Sequence, residues 1–134
     1  MEENIDFKSI ANHWIEMSDK DFNTMNNLHK SRDYHWSLFM GHLVIERLIK
    51  ACIVNETKNH APFSHDLLRL SVHAKMELPK EYLDWLDTIT TFNLNTRYDS
   101  YKQEFYKKCT DEYTTSWIEK IKTLRSWIKQ KHLE

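Results

Sequence analysis

The 134-residue chain holds a single glycine, Gly41, and two prolines, Pro62 and Pro79. This scarcity argues against a β-rich fold, whose tight hairpins draw on residues that tolerate positive φ. Its two cysteines, Cys52 and Cys109, lie too far apart in the chain to suggest a zinc or redox pair. Cys52 sits in an apolar stretch and reads as a buried thiol. No apolar run approaches the length that crosses a bilayer. The opening residues, Met1-Glu2-Glu3-Asn4, are acidic where a secretory leader is basic and then apolar. These absences predict a cytoplasmic protein without membrane contact. One glycine cannot build a phosphate-cradling glycine loop, and no Ser or Cys stands in the setting of a nucleophile.

What is present is helical. Five Trp, six Tyr and six Phe supply bulky apolar material for the core of one domain spanning residues 1–134. From Asp6 to Lys30, Phe7, Ile10, Ala11, Trp14, Ile15, Phe22, Met25 and Leu28 recur near helical spacing, with Ser18 to Asp21 marking either a continuation or a kink. Ser31-Arg32-Asp33 reads as a turn. The segment from Tyr34 to about Asn55 is the most apolar of the chain and is apolar around most of its circumference. That pattern predicts a central helix, with apolar surface to spare for a second subunit. Gly41 inside it costs about 1 kcal/mol relative to Ala, a cost that close approach of another helix would explain.

Residues Glu56 to Phe63 read as a loop. Ser64 is the expected N-cap of a helix over His65 to Lys75, with Asp66 in its first turn. After Pro79, the apolar side of a fourth helix is carried by Tyr82, Leu83, Trp85, Leu86, Ile89 and Phe92. Asn93 to Lys102 is polar and weakly patterned. A last helix covers Asp111 to Lys131, with Trp117, Ile121, Leu124 and Ile128 as its stripe. The fold class is therefore all-α, an up-and-down bundle of about five helices.

Net charge is −1, which neither favours nor excludes nucleic acid. From Arg97 onward, nine Lys or Arg face six Asp or Glu, against ten and fourteen before it. This modest basic bias suits phosphate contacts or an ordinary solvated helix face.

Three features then fall into a recognisable order: Leu43-Val44-Ile45-Glu46-Arg47-Leu48-Ile49-Lys50-Ala51 in the central helix, Phe63-Ser64-His65-Asp66-Leu67-Leu68 at the third, and Asn95-Thr96-Arg97-Tyr98-Asp99 after the fourth. Each is weak alone; together they resemble the HEPN domain family (higher eukaryotes and prokaryotes nucleotide-binding domain) over nearly the whole chain. The resemblance implies a helical bundle that commonly forms a homodimer and works on nucleotides or RNA. It also implies a small nucleotidyltransferase-fold partner in a toxin–antitoxin pair. Many family nucleases place a His a few residues after the Arg for metal-independent RNA cleavage. Here Lys102, Gln103 and Glu104 stand in those places, so the resemblance carries binding further than cleavage.

The candidate residues follow. Arg97 either grips a phosphate through paired hydrogen bonds, and as a catalytic residue stabilises a phosphorane, or pairs with Glu46 or Asp99. Tyr98 either stacks on a base or packs by its ring. His65, in the positive first turn of a helix, suits a neutral imidazole acting as base, or a structural tie. Lys50 and Lys102 are candidate nucleotide or RNA contacts. Glu46, Asp66 and Asp99 are expected in a structural polar network, with Glu46–Arg97 as its attractive pair. His42 and Glu46, four apart, supply two metal ligands and no third, so neither a metal nor any other cofactor is expected. Three readings stay open: a binding module, a metal-independent ribonuclease with Tyr98, Tyr101 or His65 in place of the usual His, and a structural interaction module.

Overall fold

The computed structural model describes residues 5–134, so the acidic residues 1–4, on which the absence of a leader was argued, lie outside it. Six helices follow one another: α1 (Phe7–Lys30), α2 (Tyr34–Thr57), α3 (Leu67–His73), α4 (Lys80–Arg97), α5 (Asp99–Lys108) and α6 (Asp111–Ile128). A wider π-type turn, Lys129–Leu133, extends α6.

The helix ends follow local chemistry. Asp6 accepts from the Ser9 amide at 3.1 Å to cap α1, and Thr110 accepts from the Tyr113 amide at 3.2 Å to cap α6. Arg32, Lys58 and Lys75 take positive φ at the ends of α1, α2 and α3, the left-handed residue that terminates many helices. Ser18 does not kink α1. Its buried hydroxyl donates to the Val44 carbonyl at 2.7 Å and ties α1 to α2. Arg125 and Lys129 reach Asp19 at 3.1 and 2.8 Å and join α6 to α1.

Helix α2 is the axis of the bundle. Fifteen of its 24 residues are buried, and α1, α3, α4, α5 and α6 all pack on it. Its surplus apolar surface is thus spent inside the chain, and a second subunit is not needed to cover it. At Gly41 α6 approaches closely: a Cβ there would stand 2.5 Å from Ile121 Cδ1 and 3.3 Å from Met25 Sδ. All six helices contribute to one buried cluster, from Met25 in α1 through Phe105 in α5 to Ile128 in α6.

Two boundaries differ from the sequence expectation. The third helix starts at Leu67, and its N-cap is Asp66, whose carboxylate accepts from the Arg69 amide at 3.3 Å. Ser64 instead accepts from the Asp66 amide at 3.1 Å, and the Leu67 amide is taken by Thr90 Oγ1 of α4 at 3.1 Å. The weakly patterned stretch after Phe92 is helical. α4 runs on to Arg97, Tyr98 breaks the chain in an extended conformation, and α5 begins at once. Only Phe105 of α5 is buried, stacked on Phe92 at 5.5 Å between ring centres, so α5 carries too little apolar repeat to be read from sequence. In α6 the buried stripe passes through Ile118, with Trp117 at the rim. Among the described residues no helix is long and apolar enough to cross a membrane.

Candidate functional site

The structure sorts the candidate residues into two groups, and among the described residues no hydrogen bond or ion pair joins one to the other. The first group surrounds Glu46, in the middle of α2. A carboxylate enclosed by apolar helix faces must be compensated or neutralised. His65 Nδ1 lies 2.7 Å from Glu46 Oε1, and Lys50 Nζ donates to Oε2 at 3.2 Å. Facing a carboxylate, Nδ1 is the donor of this pair, and the side chain that carries Nε2 is 44% exposed. His42 is fully buried and its Nε2 donates to the His65 carbonyl at 2.9 Å, which holds the loop over α2. Its Nδ1 faces Glu46 Oε1 at 3.8 Å without a hydrogen-bond partner. Burial pushes the His42 pKa down, so this imidazole is neutral at physiological pH.

This arrangement replaces the expected Glu46–Arg97 pair: both Glu46 oxygens are taken by residues of α2 and the α2–α3 loop. Lys50 is also withdrawn from any binding surface. It is only 6% exposed, bonded to Glu46 and placed 5.3 Å from the centre of the Trp14 ring. His65 precedes the α3 cap rather than lying in the first turn, so its tautomer is set by Glu46 and not by the helix dipole. Asp66 serves α3 as its cap, and Arg47, next to Glu46 in α2, pairs with Asp21 of α1. His42 spends Nε2 on a carbonyl, and among the described residues no group of three or more His, Cys, Asp or Glu is placed to hold a metal ion.

The second group lies at the α4–α5 corner. Arg97 and Tyr98 are exposed there, with Asp99 and Tyr101 exposed on the first turn of α5. Arg97 Nη1 donates to Asn93 Oδ1 at 3.4 Å, a long bond to a neutral group, and among the described residues it has no carboxylate partner, Asp99 included. Lys102 places its ammonium 4.8 Å from the centre of the Trp36 ring, at the start of α2. The corner thus presents a guanidinium, an ammonium and two phenol rings to solvent. Such a surface suits phosphates and stacked bases. Asp99 takes no part in the Glu46 network.

The sequence reading weighed His42 only as a metal ligand and missed its bond to the His65 carbonyl, and it missed Trp36. A polar residue on the most apolar helix, four before Glu46, was the available signal for His42. No signal marked Trp36, whose role depends on α5 lying across the start of α2.

A family model described as HEPN domain matches residues 11–131. Among solved structures, the chain is similar to TT1696 from Thermus thermophilus, with a TM-score of 0.75 at 13% identity, covering 90% of this chain and 96% of that one. Among curated proteins no match is found.

Proposed function

The chain belongs to the HEPN domain family, and from that premise we propose that it is a nucleotide- or RNA-binding helical module whose phosphate contacts are made at the α4–α5 corner. The observation that carries this reading is Arg97. It is exposed at the end of a helix, free of any carboxylate among the described residues, and flanked by Tyr98, Tyr101 and Lys102. A guanidinium without an internal carboxylate partner is available for bidentate phosphate binding, and neighbouring phenols add stacking that tolerates any base. The exposed Leu94, Tyr98 and Tyr101, at 47%, 51% and 49%, give the same corner an apolar component through which a second copy would bring two such patches together. A small nucleotidyltransferase-fold protein in a toxin–antitoxin pair is the partner this reading assigns.

The test is binding of single-stranded RNA and of nucleotides to the chain and to Arg97→Ala, with folding checked by circular dichroism. Loss of about tenfold or more in affinity supports the corner, since a charge-assisted bidentate contact is worth about 1.5–3 kcal/mol. Unchanged affinity in the folded variant rejects it. Light scattering at high protein concentration decides the homodimer, and a monomer there rejects it.

A second reading, a metal-independent ribonuclease, is favoured by His65. A carboxylate that fixes Nδ1–H and leaves Nε2 open is the arrangement of a general base. RNA cleavage in the presence of chelator that disappears in both His65→Ala and Arg97→Ala establishes it. No cleavage by the folded chain leaves binding as the function.

A further inference from the structure

A cleft of about 290 Å³ opens between the start of α2 and the end of α5, lined by Arg32, Tyr34, His35, Tyr106, Lys107 and Cys109. None of these six residues belongs to the two groups described above. The volume lies at the small end of ligand pockets and suits one nucleotide rather than a larger cofactor.

Its chemistry is one-sided. Arg32 and Lys107 supply two cations, and neither has a carboxylate partner among the described residues. Cys109 adds no negative charge, because burial pushes its thiol up to about 12. The nearby carboxylate, Asp33, accepts from the Ser31 hydroxyl at 2.5 Å. Asp33 is also the N-cap of α2 but makes no side-chain bond to that helix, so the positive end of a 24-residue helix is left without a side-chain cap beside the cleft. Tyr34 and Tyr106 bring aromatic rings to the walls.

His35 is the unexplained group. It is only 9% exposed, yet its buried Nδ1 meets no hydrogen-bond partner, a placement that costs stability unless something else supplies the bond. Tyr106 stands edge-on against it with ring centres 5.1 Å apart, and that tyrosine is itself 65% exposed.

We propose that this cleft binds a nucleoside monophosphate unit, its phosphate held by Arg32, Lys107 and the open amides of α2, and the edge of its base bonded to His35 Nδ1 in the place that Tyr106 now occupies. Outward rotation of Tyr106 uncovers His35 Nδ1 for the edge of the base, which offers both donors and acceptors. The choice of ligand class rests on the reading of the chain as a nucleotide-binding module, while none of the residues lining the cleft is among those of the α4–α5 corner, whose Lys102 lies nearby. The unit is either a free nucleotide or the 5′-phosphorylated end of an RNA.

The experiment is calorimetric titration of the full chain with AMP, adenosine and inorganic phosphate, repeated in Arg32→Ala/Lys107→Ala, in His35→Phe and in Arg97→Ala. AMP is expected to bind more tightly than either of its parts. Affinity is expected to fall by about tenfold or more in the double variant, to fall in His35→Phe, which keeps a ring and removes the nitrogens, and to persist in Arg97→Ala. Absence of AMP binding up to about 10 mM in the folded chain overturns the proposal. So does binding that survives the double variant, or that phosphate alone matches. Binding lost only in Arg97→Ala moves the nucleotide to the corner, which overturns the cleft and leaves the proposed function standing. In the Arg97→Ala background, a 5′-phosphorylated oligoribonucleotide tighter than both AMP and its 5′-hydroxyl counterpart assigns the cleft to an RNA end. AMP as the tightest of the three assigns it to free nucleotide.

Discussion

His65, in the loop before α3, bonds through Nδ1 to the carboxylate of Glu46 in α2 at 2.7 Å, while Lys50 holds the other oxygen at 3.2 Å. The carboxylate side chain is 5% exposed, so these two partners and its own charge form a unit. Removing one member of a buried pair leaves the other uncompensated. Glu46→Ala is therefore expected to destabilise the fold by about 3–5 kcal/mol. Glu46→Gln with Lys50→Met removes both charges at similar volume and is expected to recover most of that loss. Urea denaturation of the three proteins measures both. A Glu46→Ala variant as stable as the parent would mean that the pair contributes nothing.

His42 makes stability depend on pH. Burial holds its folded pKa below the ordinary value of 6.5, so between the two values the unfolded chain binds more protons than the folded one. Stability then rises with pH across that window, and this contribution is complete above about 6.5 and lost as pH falls through the folded value. Burial, with Lys102 as a second cause, shifts His35 in the same direction and adds to the effect. The slope below pH 6.5 is expected to be shallower in His42→Gln, by up to about 1.4 kcal/mol per pH unit for one proton. Identical slopes in denaturation series between pH 5 and pH 8 would remove His42 as the cause.

The thiols of Cys52 and Cys109 are both pushed up to about 12, in each case first by burial. The thiolate is the nucleophile, so neither is expected to react with iodoacetamide near neutral pH in the native protein. Both are expected to react on denaturation in urea at a pH near their unfolded values. Mass spectrometry of the alkylated protein gives the answer directly. Rapid native labelling of Cys109, which lines the cleft beside Lys107, would mean that this wall opens.

How much was readable in advance depended on how much apolar surface each segment buries. Helix α2 was legible because so many of its side chains face the core, and the single interior glycine correctly marked a close helix approach. Helix α5 was not, because one phenylalanine holds it in place. The site divides the same way. Glu46 stood out as a charge in an apolar helix, and a partner for it could be demanded on physical grounds. Which partner it has depends on where the loop after Lys58 lies over α2, and that is set by the bond from buried His42 to the His65 carbonyl, a tertiary contact that no local pattern encodes. Arg97 was the wrong partner for the same reason. The helix that carries it ends at an exposed corner, away from the middle of α2.

Gly41 and Ile121 are matched across the α2–α6 contact. A Cβ at position 41 would meet Ile121 Cδ1 at 2.5 Å, a separation that cannot persist, and Ile121 is fully buried, so its methyl must shift within the core. Two effects oppose each other in Gly41→Ala. The helix interior gains about 1 kcal/mol of propensity, and overpacking in a filled core costs about 1–3 kcal/mol. The contact is short enough for the second to win, and a net loss of about 1 kcal/mol is expected. Ile121→Val removes the clashing Cδ1 atom. Alone it is expected to cost about 0.5–1.5 kcal/mol as a deletion from the core. Combined with Gly41→Ala it frees the space that the new methyl needs, so the double variant is expected to be more stable than the sum of the two changes allows. A double-mutant cycle by urea denaturation reads this coupling directly. Strict additivity would show that α6 yields as a body rather than through Ile121, and that Gly41 is there for a reason other than this contact.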